Sequence, residues 1–218
     1  LYMAMPVFTR LGILLNDEDY FLKMDTLYRD TKYRRGLYNG ETGLWYRDES
    51  FDPPYTTPNG KDCYWSRGNG WVFAAHARVL QLLPESHLTR DEYVETFRKM
   101  AGALKERQRG DGFWDVSLDD PDDFGGPETS GTAFFTYGMA WGINNGFLDS
   151  ASYYPVVVSA WNGLTSVAVH EDGFLGYVQG VGSSPASSQP VTFENLKKTP
   201  QVRVTADMRL VEDQENLS

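Results

Sequence analysis

Residues 64–71 read Tyr-Trp-Ser-Arg-Gly-Asn-Gly-Trp and stand at the start of a helical pattern. Small and apolar side chains recur behind them at the spacing of an α-helix that begins near Asn69. We therefore expect the run to lie on a loop that leads into a helix N-terminus, where backbone N–H groups lack intrahelical partners. Such an end favours an anion, and the planar guanidinium of Arg67 suits a carboxylate. The indoles of Trp65 and Trp71 add flat faces for a sugar ring, so the run predicts a pocket for an acidic sugar.

A structural interpretation of the same run stays open. Trp71 begins the apolar stripe of the predicted helix, so both indoles could belong to the core. Arg67 would then be a surface residue beside a helix start.

The composition describes a chain that can bury a core. Of its 218 residues 41% are hydrophobic and 14% aromatic, and its formal net charge is −10. The excess of acids, 30 against 20 bases, argues against non-specific binding to nucleic acid, and an acidic ligand would need a local positive site. No run of eighteen apolar residues occurs, which predicts no membrane span. The one cysteine, Cys63, excludes a disulfide within the chain.

Apolar periodicity predicts six helices that follow one another in three pairs. Residues 37–66 form a long connection, residues 119–123 an acidic solvated loop, and residues 183–218 a loop or poorly ordered tail. The predicted helices are Leu1 to about Leu14; a helix with Asn16 and Asp19 as its start signal that ends near Gly36; Asn69 to Leu83; a helix with a Thr89–Glu92 capping box that ends at Gly110; Glu128 to Ile143; and a helix with Pro155 near its start and Leu164 on its face.

Each helix pair ends in a related signature, and the copies lie roughly 65 residues apart. They are Gly43-Leu44-Trp45, Gly112-Phe113-Trp114 and Gly173-Phe174-Leu175. A recurring unit of this size predicts stacked helical hairpins, each with one inner and one outer helix. Curled round an axis, such hairpins make a toroid, and the loops before the inner helices line one of its mouths.

Several motifs together resemble glycoside hydrolase family 105, the unsaturated rhamnogalacturonyl hydrolases, which are akin to the family 88 unsaturated glucuronyl hydrolases. The resemblance covers nearly all of residues 1–185 and implies an all-α fold, an (α/α)6 barrel of twelve helices. The six predicted helices would be roughly its C-terminal half, with residues 1–182 in one toroid domain. The motifs are Leu1-Tyr2-Met3-Ala4, Trp65-Ser66-Arg67-Gly68-Asn69-Gly70-Trp71, Glu128-Thr129-Ser130-Gly131-Thr132, Ala140-Trp141-Gly142-Ile143-Asn144 and Asp172-Gly173-Phe174-Leu175-Gly176.

The resemblance also implies a reaction. Family members remove a 4,5-unsaturated uronic acid from the non-reducing end of rhamnogalacturonan (pectin) oligosaccharides, without a metal or an organic cofactor. An aspartic acid protonates the enol ether at C4, water adds at C5, and the resulting hemiketal falls apart. In the family this aspartate stands two residues before the run that starts at Leu1, so we expect it upstream of this sequence. The chain also begins inside an apolar segment, which indicates missing residues.

Binding roles carry over from the family to residues present here. Arg67 and Trp71 match the family's contacts to the unsaturated uronate, and Trp65 offers a stacking face. Met3 follows the position of the expected acid and should lie near the sugar. Arg47 stands where many members have His, which puts a proton-relay role in doubt and favours binding of a carboxylate.

Two further candidates have competing interpretations. Glu128 opens the fifth predicted helix, where the helix dipole favours an acid whether or not it contacts substrate. Tyr46 is the candidate base if the chain is instead a polysaccharide lyase or a sugar epimerase of toroid fold. Another hypothesis is a non-catalytic carbohydrate-binding module, or an inactive fragment, which would bind saturated sugars as well and turn none over.

The expected partner is an oligosaccharide with an unsaturated uronic acid. We expect no binding to nucleic acid or to a membrane. His76, His87 and His170 show no metal-ligand spacing with one another or with Cys63. Half a barrel would expose apolar surface, so self-association through that face is expected. The compartment stays open, with a bacterial cytoplasmic or periplasmic location favoured over an extracellular one.

Overall fold

The computed structural model describes residues 2–182, which form an almost entirely helical unit. The predicted tail 183–218 lies outside the described residues. Among the described helices, none combines the length and apolar character needed to cross a bilayer. The elements are α1 (Ala4–Leu15), α2 (Asp19–Arg29), a π-helical turn (Asp30–Arg34), β1 (Tyr38–Asn39), β2 (Leu44–Trp45), α3 (Ser66–Leu82), α4 (Arg90–Lys105), α5 (Pro121–Phe124), α6 (Thr129–Asn144), α7 (Ser150–Gly163) and a second π-helical turn (Leu164–Ala168).

Six of these helices pair into three hairpins, as the sequence predicts. α1 packs on α2, α3 on α4, and α6 on α7. Because α3 also contacts both α1 and α6, these three helices form an inner layer, and α2, α4 and α7 form an outer one. The layers are those of half an (α/α)6 toroid, which confirms the predicted all-α class.

The inner helices α3 and α6 run side by side with their N-termini at the same end. A Cβ atom added to Gly70 would lie 2.9 Å from Cδ2 of Phe134, and one added to Gly138 would overlap the ring of Phe73. Glycine at both positions therefore lets a large ring of the neighbouring helix approach the backbone. The contacts advance in the same direction along both helices, so the two helices are parallel.

The repeated glycine signatures share one backbone conformation. Gly43, Gly112 and Gly173 have φ angles of 75°, 88° and 79°, a region that glycine adopts without strain. In the second and third copies Asp111 and Asp172 accept the backbone N–H two residues on, at 3.2 and 3.0 Å. The repeat is thus a recurring turn after each outer helix, which returns the chain towards the N-terminal end of the inner layer.

Helix α3 begins at Ser66, one turn earlier than predicted. Asn69 does not cap it, because its side chain accepts the N–H of Trp45 at 2.9 Å and donates to the carbonyl of Trp45 at 3.0 Å. The residue at the cap position, Trp65, makes no capping hydrogen bond through its side chain. Arg67 therefore lies in the first turn of α3 and not on a preceding loop.

Two predicted start signals are wrong because their side chains have other roles. Asn16 ends α1 in the left-handed conformation with a φ of 50°, so it does not open α2. Thr89 donates its hydroxyl to Asp25 at 2.9 Å instead of capping α4. Glu92 pairs with Arg29 at 2.9 Å, so the predicted capping box does not form.

The acidic segment 119–123 is only partly the predicted solvated loop. Its second half belongs to the short helix α5. Asp120 is buried and accepts hydrogen bonds from Thr57 and from Asn59, the latter at 3.0 Å. This carboxylate fastens the long connection before α3 to the segment before α6.

One face of the inner layer stays uncovered within the described part of the chain. A groove of about 870 Å³ runs along it, and Met3 and Leu14 are 65% and 75% exposed at its side. The groove is lined by Tyr2, Met3, Pro6, Val7, Arg10, Leu11, Leu14, Trp71, Ala74, Ala75, Arg78, Ala133, Phe134 and Tyr137.

A buried polar network connects α2 with α3 and α4. The hydroxyl of Tyr28 lies 3.1 Å from Nε2 of His76 and 2.9 Å from Oγ1 of Thr96, which also accepts a hydrogen bond from Lys32 at 2.8 Å. The other ring nitrogen of His76, Nδ1, lies 2.8 Å from the carbonyl of Val72, which places the proton of the neutral ring on Nδ1. Burial lowers the pKa of His76 to about 4.

This pKa predicts a loss of stability in acid. Between the ordinary value of 6.5 and about 4 the unfolded chain binds a proton at His76 that the folded protein excludes. The free energy of unfolding should fall by about 1.4 kcal/mol for each pH unit as the pH drops through this window. Above pH 6.5, His76 should not make the free energy of unfolding depend on pH. Denaturant unfolding of wild type and His76→Gln from pH 7.5 to pH 4 measures the difference in slope.

The control for this measurement is Thr26→Ala, an exposed residue of α2 that does not titrate and lies outside the network. We expect its slope to match that of the wild type. Equal slopes for the wild type and His76→Gln between pH 6.5 and 4 would contradict the prediction.

Candidate active site

A cavity of about 640 Å³ opens at the N-terminal ends of α1 and α3. Its walls come from α1, α2, the first π-helical turn, the segment around β2, the start of α3 and the chain that follows α7. Its lining residues include Tyr2, Tyr28, Asp30, Arg35, Trp45, Tyr46, Arg47, Asp48, Trp65, Arg67, Trp71, Val181 and Gly182.

Five of the seven residues predicted to bind substrate line this cavity. They are Tyr46, Arg47, Trp65, Arg67 and Trp71. The first two follow β2 and the other three stand at the start of α3, so the fold joins two stretches that are separate in the sequence.

The guanidinium of Arg67 is held firmly at the cavity wall. Its Nε donates to Oγ of Ser130 at 2.9 Å, its Nη1 donates to the carbonyl of Gly180 at 3.1 Å, and its Nη2 donates to the carbonyl of Gln179. Only 14% of the side chain is exposed. Since a guanidinium carries five N–H groups, two remain beyond these three bonds for a ligand. The charge is thus fixed in place. Of the N–H groups that could bind a carboxylate, three already bind the protein itself.

Glu128 lies outside the cavity, fully buried at the start of α6. Its carboxylate accepts the N–H groups of Ser130 and Gly131 at 3.0 and 2.6 Å, and the hydroxyl of Ser130 at 2.6 Å. It is therefore the N-cap of α6, and it lies 4.0 Å from Nη2 of Arg67. Glu128 thus helps to position Arg67 indirectly, because the Ser130 hydroxyl that donates to Glu128 also accepts the N–H of Arg67 Nε.

The two tryptophans differ in their surroundings. Trp65 is buried, its Nε1 donates to Oε1 of Gln179 at 2.7 Å, and the guanidinium carbon of Arg67 lies 5.4 Å from its ring centroid. Trp71 is only half-buried and stacks on Tyr2 at 5.7 Å with an interplanar angle of 16°. Its ring therefore belongs to the surface of the cavity more than to the core.

Met3 does not line the cavity that contains Arg67. It lies at the N-cap position of α1 and points its exposed side chain towards the apolar groove. Its neighbour Tyr2 lines both the cavity and the groove.

Tyr46 and Arg47, which follow β2, form another part of the cavity wall. The hydroxyls of Tyr46 and Tyr64 lie 3.1 Å apart, and both lie within 3.2 Å of Oδ2 of Asp62. These hydrogen bonds hold the phenol of Tyr46 in one orientation at the cavity wall. Arg47 is exposed at the edge and forms an ion pair with Asp48.

The two carboxyl groups that line the cavity are poorly suited to donate a proton. Hydrogen bonds from Arg34 and Arg35 lower the pKa of Asp30. Burial would raise the pKa of Asp48, but its bonds from Ser50 and Arg47 outweigh this effect and lower it. Both are therefore carboxylates near neutral pH, which disfavours either of them as a general acid.

Sequence reasoning missed the partner that joins the two best candidates. Gln179 contacts both Trp65 and Arg67, yet it stands more than a hundred residues away in the sequence. The only available signal was its position just after the repeated Gly173 signature. Within residues 2–182, His, Cys, Asp and Glu side chains form no group of three or more that could hold a metal ion.

Comparison with known proteins places this geometry in a family. The model of Glycosyl Hydrolase Family 88 matches residues 1–205. An unsaturated 3S-rhamnoglycuronyl hydrolase of Alteromonas sp. (strain LOR) is 45% identical over 150 residues, which are 68% of this chain and 36% of that protein.

Two solved structures share the fold. A glycosyl hydrolase family 88 protein from Bacteroides vulgatus is 42% identical with a TM-score of 0.79, over 88% of this chain and 54% of that one. A protein named as a polysaccharide lyase is 44% identical with a TM-score of 0.78, over 86% and 53%. The chain thus spans between about a third and a half of the length of these relatives. With a family model that matches nearly its whole length and an aromatic cavity built round Arg67, this chain belongs to glycosyl hydrolase family 88.

Proposed function

We propose that the protein removes a 4,5-unsaturated uronic acid from the non-reducing end of a rhamnose-containing acidic oligosaccharide, by hydration of the enol ether. The observation that carries the proposal is Arg67, a fixed guanidinium at the wall of an aromatic cavity. The relative from Alteromonas, named for an unsaturated rhamnoglycuronyl substrate, supports the same sugar class. Rhamnogalacturonan oligosaccharides are the first substrate to test.

The residues of this chain would bind and orient the sugar. The carboxylate of the uronate accepts the remaining N–H groups of Arg67, where a charge-assisted bond is strong because the side chain is largely shielded from water. The sugar ring lies against Trp71, and Tyr46 and Arg47 contact the next sugar. Proton transfer to C4 belongs to the aspartic acid that the family resemblance places before Leu1.

A direct test follows the absorbance of the enol ether. The full-length protein, with the segment before Leu1 that should carry the aspartate, is incubated with lyase-treated rhamnogalacturonan and, in parallel, with unsaturated rhamnoglycuronyl oligosaccharides; loss of absorbance is expected with at least one. The variants described below for kinetics are made in this full-length protein. A carbohydrate-binding module would bind saturated and unsaturated sugars without any loss. A polysaccharide lyase would instead raise the absorbance of a saturated polymer. No loss by a folded protein would rule the proposal out.

Substitution of Arg67 tests directly whether this side chain binds the uronate. Arg67→Ala should weaken substrate binding by about 1.5–3 kcal/mol, because it removes a charged hydrogen-bond donor from a shielded wall. This corresponds to a KM raised roughly 10- to 150-fold. Initial rates over a range of substrate concentrations measure it.

The matched control is Arg98→Ala. Arg98 is exposed and donates to the carbonyl of Phe147 at 3.0 Å, away from the cavity. We expect its KM to stay within a factor of two of wild type. An Arg67→Ala protein that folds and keeps the wild-type KM would show that Arg67 does not bind the uronate.

The apolar groove supports a second part of the proposal, self-association of this chain through the inner face of the half toroid. Val7 lines the groove at 57% exposure, and Leu22 is equally exposed at 58% on α2, outside it. Sedimentation velocity of residues 1–218 should show association that weakens in Val7→Glu and persists in Leu22→Glu, because only the former places a charge in the groove. A stable monomer at all concentrations would contradict it.

A further inference from the structure

The chain after α7 crosses the N-terminal end of the inner layer as a strap, residues 175–182. The strap is fastened to the first residue of α6, because Thr129 donates its N–H to the carbonyl of Tyr177 at 3.0 Å and its hydroxyl to the carbonyl of Gly176 at 2.7 Å. Farther along, Val181 and Gly182 line the cavity. The strap is therefore a wall of the candidate active site.

Gln179, in the middle of the strap, contacts three residues of the predicted site. It is 1% exposed. Its side-chain oxygen accepts from Nε1 of Trp65 at 2.7 Å, and its carbonyl accepts from Nη2 of Arg67. Its own N–H donates to Oε1 of Glu128 at 3.3 Å. One residue thus joins an indole and a guanidinium at the cavity wall to the carboxylate that caps α6.

We propose that Gln179 is a positioning residue, which fixes the indole of Trp65 and, through the strap carbonyls, the guanidinium of Arg67 in the orientation that receives an acidic sugar. This inference rests on the proposed function. Gln179 does not line the cavity, so it acts through the two side chains that do.

The physical basis is the buried donor on Trp65. Its ring is almost fully enclosed, so loss of the Gln179 oxygen leaves an indole N–H without a partner, and a buried unpaired donor is costly. The ring then moves towards another acceptor. Arg67 moves with it, since the guanidinium lies over the same ring and is held by the adjoining strap carbonyls.

The expected effect is on binding rather than on the chemical step. Neither Trp65 nor Arg67 transfers the proton in the proposed reaction. Gln179→Met keeps the approximate size of the side chain and removes the acceptor. It should raise KM roughly five- to thirtyfold, because the displaced indole and guanidinium bind the sugar less well, and change kcat by less than about twofold.

A double-mutant cycle separates positioning from general destabilisation. Trp65→Phe removes the donor and keeps an aromatic ring. If Gln179 acts through Trp65, the double variant should have a KM within about twofold of Trp65→Phe alone, because the interaction is already lost. Gln108→Met is the matched control, since Gln108 also joins two segments, through the carbonyls of Gly112 and Val156 at 3.0 and 2.9 Å. It should lower stability and leave KM unchanged.

A second readout needs no turnover. Tryptophan emission and its quenching by acrylamide should change in Gln179→Met, and the change should vanish in the Trp65→Phe background. An unchanged KM and unchanged emission in a folded Gln179→Met protein would overturn the inference, as would fully multiplicative effects in the cycle. If the full-length wild type shows no turnover but the emission change depends on Trp65, the proposed function fails while the positioning by Gln179 stands.

Discussion

One buried carboxylate organises this end of the molecule. Glu128 has no exposed surface, so its charge must be balanced by hydrogen bonds, and it receives them from the start of α6, from the hydroxyl of Ser130 and from the strap at Gln179. The hydroxyl of Ser130 in turn accepts Nε of Arg67. The Glu128 carboxylate therefore caps α6, binds the strap at Gln179 and, through Ser130, fixes the position of the Arg67 guanidinium. Removal of this carboxylate would leave several donors unpaired at once.

The inner layer makes this arrangement feasible by bringing helix starts together. α3 and α6 are parallel, and rings of one helix pack on glycines of the other at Gly70 and Gly138. Their close approach puts Arg67 of one first turn within reach of Ser130 in the next. The recurring left-handed glycine turns bring the chain back to this same end after each outer helix. A toroid thus gathers residues that are far apart in sequence at one mouth.

The sequence predicted the features that depend on local order. The apolar spacing located all six hairpin helices, and the glycine signatures located the turns, because both are set by neighbours along the chain. Contacts between distant segments were not predictable. The apolar spacing predicts a helix start near Asn69, but α3 begins at Ser66 and the Asn69 side chain binds the distant backbone of Trp45. Gln179 carries no local pattern at all, since its partners stand 51 to 114 residues away.

Trp71 belongs to the walls of both the sugar cavity and the apolar groove, and its ring stacks on Tyr2, which also lines both. A helix seated in the groove would touch Trp71, the indole proposed to hold the sugar, so binding at either place would affect the same side chain. Linkage then makes the effect reciprocal: whatever factor assembly changes in sugar affinity, the sugar changes in assembly. The proposed assembly face and the candidate active site thus share one aromatic pair, Tyr2 and Trp71.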